Sequence, residues 1–509
     1  YSRLCAQLRQ WGSVMNYRND PDGTRLPVKL DNTSNGEFLP RPLPPHLEHM
    51  KRMAMQRAAA NARRLNLSRR EFLVSLSGAA TCLLVMNEVN AAMGRTGGNF
   101  VLPVDAGVDA DAANATLGKS GFVFDIQTHH FDPPKAWTEV TPWSDAINRT
   151  AETTDCNVLP DHAFGHMSCT DSRAFVREIF MDSDTDAAVL SFVPTAEDKM
   201  PLSYQEASAT RQIVNAMEGN KRLLLHGRII PSLPGDLERM AGVLENWDIA
   251  AWKTYTQYGP DRATGWWLDD EETGQPFLDK VRESGVRTVC IHKGLPLPFP
   301  LMGDQNVEYK SCRDVGPAAK ANPDISIIIY HSGVDPDFKE GPFVPGDPVS
   351  GADTLIQSML DADVPPNSNI YAELGTTWRA LMRDPDQAAH LLGKLLKYVG
   401  EDNVVWGTDC IFYGSPQDQI QAFRAFQISE EYREKYGYPE LTDEIRAKVF
   451  GLNSVRAYNL NLDQFAKTAE SDVITQARNI YAGREDPTFR TYGPKTRRDF
   501  LTFARMDEP

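Results

Sequence analysis

The run Ile325-Ser326-Ile327-Ile328-Ile329-Tyr330-His331 is a short apolar stretch that ends on a histidine. Its length and its β-branched residues are typical of a strand buried on both faces of a parallel sheet. Three further runs have the same form and also end on a residue that can bind a metal, namely residues 122–129, 288–292 and 404–409. In a β/α barrel the carboxyl ends of all strands face the active site. The pattern therefore predicts a barrel with metal-binding side chains gathered at one rim.

Eight strand candidates alternate with helical stretches in the second, larger part of the chain. They begin near residues 122, 187, 223, 249, 287, 325, 369 and 404. His331 follows His292 by 39 residues, and Asp409 follows His331 by 78, which is two repeats of the same length. Repeats of a strand followed by a helix imply parallel strands with crossover connections. Eight of them favour the α/β class and a closed (β/α)8 barrel of the TIM type.

Composition divides the chain into three segments. We expect an N-terminal extension over residues 1–118, the barrel over residues 119–465 and a polar C-terminal tail over residues 466–509. Residues 19–45 are rich in Pro, Gly, Asn and Asp, which indicates an extended, loop-like arm. Arms of this kind usually wrap a neighbouring surface. The arm therefore predicts a homo-oligomer, a dimer or larger, with the arm at the interface.

Residues 68–92 resemble a twin-arginine export signal. Ser68-Arg69-Arg70-Glu71-Phe72-Leu73 precedes a weakly apolar stretch and then Asn90-Ala91-Ala92, a small-residue cleavage pattern. The apolar part is shorter than the roughly 20 residues of a membrane span, so none is expected. Two interpretations stay open. The segment directs the protein to the bacterial periplasm, or it is a retained helical part of a cytoplasmic enzyme.

The charge and the cysteines exclude several classes of protein. A formal net charge of −16 is opposite to what binding of nucleic-acid phosphates requires. The seven cysteines are scattered and form no C-x-x-C pair, which argues against a disulfide framework and against a structural zinc module. A small-molecule substrate is the remaining partner class for a barrel with a polar rim.

At the strand ends the chain resembles the amidohydrolase superfamily, in the branch typified by aminocarboxymuconate semialdehyde decarboxylase. The resemblance covers about residues 120–462. The matching segments are Asp125-Ile126-Gln127-Thr128-His129, Ile291-His292, Tyr330-His331-Ser332-Gly333, Gly407-Thr408-Asp409 and the closing Lys448-Val449-Phe450-Gly451-Leu452-Asn453-Ser454. The resemblance implies one divalent metal held by Gln127, His129, His292 and Asp409. Imidazole and carboxylate ligands make zinc the first expectation, with manganese or another divalent ion as alternatives.

Gln127 departs from the family pattern, which usually has a histidine at this position. Its carboxamide oxygen is a neutral and weaker donor than imidazole, and it leans towards harder cations. Related decarboxylases carry Glu there, so an oxygen ligand is acceptable. His130 is a poor replacement because neighbouring residues of a strand point to opposite faces. Loss of the metal altogether is the alternative.

The resemblance also implies roles for other residues at the rim. His331 is expected to act as general acid and base beside the metal, with Asp409 as the other catalytic residue; the alternative for His331 is a structural hydrogen bond. Lys253, His226 and Arg379 are expected as substrate contacts; the alternative is an ion pair for Lys253 and plain packing for the other two. The stretch from 130 to 186 is expected to form a lid or rim. Within it His162 and His166 could form a second metal site, although their loop-like surroundings disfavour one.

Three functions remain in view from the sequence. The first is a metal-dependent hydrolase that cuts a C–N or C–O bond with metal-activated water. The second is a non-oxidative decarboxylase, a lyase, acting on a carboxylated substrate such as an aromatic acid. The third is a non-catalytic scaffold or binding protein, suggested by the replaced ligand and the long arm.

Overall fold

A computed structural model describes residues 19–131, 170–193, 200–218, 220–257, 265–295, 304–346, 348, 350–465, 480–481 and 485–497. Eight of the strands form one parallel sheet in which spatial order follows chain order, and two more form a separate antiparallel pair. The strands are β1 (Gly98–Phe100), β2 (Phe124–Thr128), β3 (Ala187–Leu190), β4 (Leu223–Arg228), β5 (Ala251–Tyr255), β6 (Thr288–His292), β7 (Ser326–Tyr330), β8 (Ile370–Glu373), β9 (Val404–Val405) and β10 (Phe426–Ile428).

Helices precede the sheet and alternate with its strands. The α-helices are α1 (Pro45–Arg64), α2 (Arg69–Val74), α3 (Leu76–Ala92), α4 (Ala110–Leu117), α5 (Ser172–Phe175), α6 (Tyr204–Glu218), α7 (Asp236–Asn246), α8 (Gly274–Ser284), α9 (Val315–Ala321), α10 (Asp353–Asp361), α11 (Thr377–Leu381), α12 (Pro385–Lys394), α13 (Gln417–Ala425), α14 (Glu430–Tyr436), α15 (Asp443–Ala447) and α16 (Asn453–Ala457). Short 3-10 turns cover Val104–Gly107, Asp304–Lys310, His331–Gly333 and Leu462–Phe465, and π-helical turns cover Val176–Met181, Leu395–Gly400 and Lys448–Leu452.

Backbone hydrogen bonds between the first and last strands close the sheet into a barrel. The amide of Ile126 in β2 donates to the carbonyl of Trp406 (3.1 Å), and the amide of Asp409 donates to the carbonyl of Gln127 (2.8 Å). Thr128 and Cys410 then form a parallel bridge beyond the end of β9. The predicted (β/α)8 barrel is confirmed. Closure places the end of β2 beside the segment that carries Asp409.

The register of the barrel strands sets the level of the site. His292 pairs with Tyr255 of β5 on one side and with Tyr330 of β7 on the other. Below this level the barrel is filled by side chains from several strands, among them Phe124, Cys290 and Ile328, all fully buried. A filled interior is usual for this fold and leaves only the carboxyl ends of the strands for a site.

The export-like segment forms two helices that pack on the rest of the chain. Ser68 caps α2 in a capping box with Glu71, and α3 follows with most of its residues buried. The guanidinium of Arg70 donates to Asp486 Oδ1 (2.7 Å) and to the carbonyl of Pro487 (2.5 Å). Strand β1 pairs antiparallel with β10 and so joins this extension to the barrel side. Among the described helices, none combines the length and apolarity that crossing a bilayer requires.

The N-terminal arm, residues 19–44, lies across the barrel mouth of its own chain. Lys29 pairs with Asp418 (2.8 Å), Asp31 with Arg379 (2.6 Å), and the amide of Ser34 donates to the carbonyl of Pro494 (2.8 Å). Residues 485–497 run beside it against the loop that follows β9. The arm therefore covers the rim within one subunit. The predicted oligomer contact stays a prediction.

Candidate metal centre

Three histidines stand at the ends of barrel strands with the same hydrogen-bond pattern. Nδ1 of His129 lies 3.1 Å from the carbonyl of Ser191, Nε2 of His292 lies 2.9 Å from that of Leu295, and Nδ1 of His331 lies 2.8 Å from that of Gly375. A carbonyl oxygen can only accept, so each of these nitrogens carries the ring proton. In a neutral imidazole the second ring nitrogen is then a lone pair. The second ring nitrogen of each histidine faces a carboxyl group, which is that of Asp409 for His129 and that of Glu37 for His292 and His331.

His129 and Asp409 form one side of the site. Nε2 of His129 lies 3.0 Å from Asp409 Oδ1, while Asp409 Oδ2 accepts from the Asn35 amide (2.6 Å) and the Thr376 hydroxyl (2.7 Å). Burial by itself would raise the pKa of Asp409, but hydrogen bonding and charge from His129 bring that pKa well below its ordinary value. Asp409 is therefore an anion at neutral pH. It is suited to holding a cation.

His292 and His331 form the opposite side, with their rings edge to face at a centroid separation of 4.8 Å. Nδ1 of His292 and Nε2 of His331 are buried and have no hydrogen-bond partner among the described residues. Burial lowers the pKa of His331 to about 4 and that of His292 well below 6.5. Both rings are therefore neutral at pH 7, and both lone pairs are open to a cation or a proton.

Glu37 faces these two lone pairs, and it comes from the arm rather than from the barrel. Its Oε1 lies 3.5 Å from His292 Nδ1, and its Oε2 lies 3.6 Å from His331 Nε2. Burial, followed by the charge of Asp409, raises the pKa of Glu37 to about 8. One ligand atom from each of Glu37, His292 and His331 falls within 4.8 Å of the others, which makes the three a candidate metal site. Glu37 was not among the residues predicted from the sequence, because an acid in a loop-like arm has no periodicity or spacing that links it to a strand end.

Several site residues have a backbone conformation that non-glycine residues rarely adopt. The φ angles of His331, Ser332, Thr376 and Asp409 are 63°, 52°, 56° and 61°. Each such conformation costs about 1–3 kcal/mol, and these conformations cluster at functional sites. Here they turn the chain sharply at the strand ends, so that the side chains of consecutive βα loops converge.

Gln127 lies beside Glu373 at the end of β8. A side chain at Gly375 would collide with both Gln127 Oε1 and Glu373 Oε1, so the two oxygens flank one small space. Gln127 Oε1 has no hydrogen-bond partner in the described part of the chain. Glu373 is fully buried, and burial raises its pKa well above 4.5. The carboxamide thus borders a carboxyl group that the sequence analysis did not consider.

The three predicted substrate contacts have different surroundings. His226 is bonded through both ring nitrogens, to Ser191 Oγ (3.0 Å) and Tyr458 OH (2.9 Å). Arg379 donates to Asp31 of the arm (2.6 Å). Lys253 places its ammonium 3.8 Å from the centre of the Tyr330 ring, with no hydrogen-bond partner among the described residues. Burial lowers the pKa of Lys253 to about 8.

Other predicted features of the rim can be placed only in part. His162 and His166 lie outside the described residues, as does most of the predicted lid. His130, the alternative ligand, packs its ring against Phe175 at a centroid distance of 5.2 Å.

Comparison with known protein families supports the resemblance found at the strand ends. Residues 253–460 match the family model described as amidohydrolase. This match confirms the resemblance to the amidohydrolase superfamily, and the protein is accordingly an enzyme with a barrel of the amidohydrolase type. Enzymes of this family depend on metal ions, and the site described above offers a candidate centre for one. None of the curated proteins matches the chain significantly.

Solved structures similar to this chain include three decarboxylases. The 5-carboxyvanillate decarboxylase of Sphingomonas paucimobilis is 13% identical, with 67% of this chain and 100% of that chain covered at a TM-score of 0.39. The 2,6-dihydroxybenzoate decarboxylase from Rhizobium is 14% identical, with coverage of 67% and 99% and a TM-score of 0.39. The dihydroxybenzoic acid decarboxylase from Polaromonas sp. JS666, with bound manganese, is 13% identical, with coverage of 68% and 99% and a TM-score of 0.37.

Proposed function

We propose that this protein is a metal-dependent hydrolase that cuts a C–N or C–O bond of a small organic substrate at the mouth of the barrel. The observation that supports this function is the shared pattern of His129, His292 and His331. Each gives one ring N–H to a backbone carbonyl and turns its other ring nitrogen towards a carboxyl group. Metal-binding histidines almost always have such an outer partner, which fixes the tautomer and the orientation of the ring.

The predicted ligands fit a divalent cation chemically. His129, His292 and Asp409 offer two imidazole nitrogens and a carboxylate, a set typical of zinc, and Gln127 would add an oxygen. Manganese is the second candidate because of the oxygen donors. When bound, such an ion supplies a Lewis acid that polarises a carbonyl and lowers the pKa of water.

His331 is proposed as the proton-transfer group of this site. Its Nε2 is unprotonated at neutral pH, and the Gly375 carbonyl holds the ring in place. It can take a proton from the attacking water and return it to the leaving nitrogen or oxygen as the bond breaks, so the proton balance closes within one turnover. Burial of the ring keeps other water away from the reaction.

Decarboxylation is the second candidate function, and Lys253 is the observation that favours it. Its buried ammonium has aromatic rings around it but no hydrogen-bond partner among the described residues, so it is suited to pair with a substrate carboxylate. In that reaction the carbon that loses carbon dioxide takes up a proton, which His331 could relay from a water molecule because its Nε2 is unprotonated at neutral pH.

Metal analysis and a paired substrate panel test the two functions. The purified protein should hold about one divalent ion per chain, as expected for a metalloenzyme with one centre. Hydrolysis of amides, lactones and esters supports the first function, and release of carbon dioxide from carboxylated aromatics supports the second. A protein that binds no divalent ion refutes the proposed metal centre.

A further inference from the structure

We propose that Glu37 of the N-terminal arm is a ligand of the cation in this site, together with His292, so that the arm is part of the metal centre. The proposal rests on the proposed metal dependence and adds a ligand from outside the barrel. It makes the arm a catalytic component of the enzyme rather than a cover.

Glu37 faces two ring nitrogens that can only accept a hydrogen bond. The ring proton of His292 is on Nε2, towards the Leu295 carbonyl, so Nδ1 presents a lone pair to Glu37. The ring proton of His331 is on Nδ1, so Nε2 does the same. At 3.5 and 3.6 Å the Glu37 carboxyl group is too far from either lone pair for a good hydrogen bond, and its ionised form would be repelled by both. Something positive between them removes the repulsion, and imidazole and carboxylate together are ligands for a divalent cation.

The distances agree with a shared ion. Ligands at about 2.1 Å from a tetrahedral zinc ion stand about 3.4 Å apart. Glu37 Oε1 and His292 Nδ1 are 3.5 Å apart, which is longer than a good hydrogen bond and close to this separation. His331 Nε2, at 3.6 Å from the other carboxylate oxygen, is near enough to act on whatever binds beside the ion.

The arm is built to hold Glu37 in this place. The Asn35 amide donates to both Glu37 Oε2 and Asp409 Oδ2, each at 2.6 Å, so one side chain ties the arm to the barrel ligand. The backbone amide of Glu37 donates back to Asn35 Oδ1 (3.0 Å). Six residues before Glu37, Asp31 of the arm forms an ion pair with Arg379 of the barrel. Asn35 is 7% exposed and the Glu37 side chain 14% exposed. These buried contacts hold the loop against the barrel rim.

The charges of the site point the same way. Glu37 and Asp409 are two buried acids linked by one amide, and buried charges are normally paired or bound to metals. Gln127 contributes no charge where the family pattern has a stronger donor. Glu37 would be deprotonated when it binds a cation, and it would then supply the anionic oxygen that Gln127 lacks.

Replacement of Glu37 by glutamine tests the proposal with little change of shape. We expect Glu37→Gln to weaken the binding of Zn²⁺ and Mn²⁺, measured against a competing chelator. Loss of a group that only hydrogen-bonds a ligand costs about 10–100-fold in metal affinity, and loss of a ligand should cost at least as much. Glu37→Asp keeps the carboxyl group on a shorter side chain, so its metal affinity should lie between that of Glu37→Gln and that of the unaltered protein. Asp22→Asn is the matched control, because Asp22 is an exposed acid of the same arm. The metal affinity of this variant should equal that of the unaltered protein.

Melting curves in EDTA and with added zinc check the fold independently of activity. In EDTA, Glu37→Gln should melt no lower than the unaltered protein, because it removes one of two neighbouring buried acids. Added zinc should raise its melting temperature less than that of the unaltered protein.

The possible failures are distinguishable. An unaltered protein without metal affinity refutes the metal centre and this proposal together. Unchanged metal affinity in Glu37→Gln refutes only the role of Glu37. If turnover also rises in that variant, Glu37 is an occupant of the substrate position, and the arm is an inhibitory plug.

Discussion

His226 lies in β4 and His292 ends β6 of the same barrel, and both are fully buried, yet their surroundings differ. His226 is hydrogen-bonded at both ring nitrogens, to Ser191 and Tyr458. His292 is bonded at one, and its other nitrogen faces a carboxylate at 3.5 Å without a hydrogen bond. A buried polar atom without a partner is costly, and it persists where function needs it. The unmatched nitrogen that faces a carboxyl group, rather than the histidine itself, marks the site.

Two buried lysines show the same contrast. Lys394 is the last residue of α12, and its ammonium pairs with Glu340 (2.5 Å) and Asp353 (2.6 Å). Lys253 at the barrel mouth has aromatic rings on two sides and no hydrogen-bond partner among the described residues. The first ammonium is satisfied by the fold. The second is available to a ligand.

The strongest test of this contrast compares alanine at His292 with glutamine at His226. We expect His292→Ala to abolish stoichiometric metal binding and turnover, because it removes a direct ligand of the proposed centre. His226→Gln should keep its metal and lose about 1–3 kcal/mol of unfolding free energy, the cost of unsatisfied buried partners. Metal analysis and urea unfolding of both variants decide the matter. Loss of metal in His226→Gln would break the distinction.

Replacement of His331 by asparagine separates proton transfer from metal binding. We expect turnover to fall by about 10²–10⁴-fold, the usual contribution of a general acid or base. The metal content should not change, because His331 is not one of the predicted ligands. Turnover close to that of the unaltered protein would assign His331 a structural role, and loss of metal would make it a ligand.

Methionine at each buried lysine tests the second contrast. Lys394→Met should lower the unfolding free energy by about 3–5 kcal/mol, because Glu340 and Asp353 stay buried without their partner. Lys253→Met should change it by less than about 2 kcal/mol, because the variant loses contacts with aromatic rings and charge interactions with nearby acids but no hydrogen bond among the described residues. Denaturant unfolding at pH 7 measures both. If the substrate is a carboxylate, Lys253→Met should also raise its KM.

The smallest expected effect concerns His130, a structural histidine packed on Phe175. Burial lowers its pKa to about 4, whereas the unfolded chain takes up this proton near pH 6.5. The unfolded state therefore binds more protons between these values, and stability falls as the pH falls from 6.5 to 4. His130→Phe should make that fall smaller by up to about 3 kcal/mol. Unfolding curves of the metal-free proteins at several pH values would show equal slopes if His130 contributes nothing.

Periodicity was enough to predict the barrel and the positions of its strand ends. Each of the eight strands begins within two residues of the predicted point, because a strand buried on both faces must be apolar along its length. Periodicity could not separate His226 from His292, since both complete such a run. That difference depends on Tyr458 and Glu37, which come from distant parts of the chain.

The amino-acid sequence alone determined the closed parallel barrel and the set of imidazole and carboxylate groups at its rim, because strand periodicity and repeat length are local properties. Only the tertiary structure decided which lone pairs stay unmatched and which arm residue faces them. Glu37 is about 255 residues from His292 along the chain. No local pattern encodes a contact that depends on how a loop-like arm crosses a folded barrel.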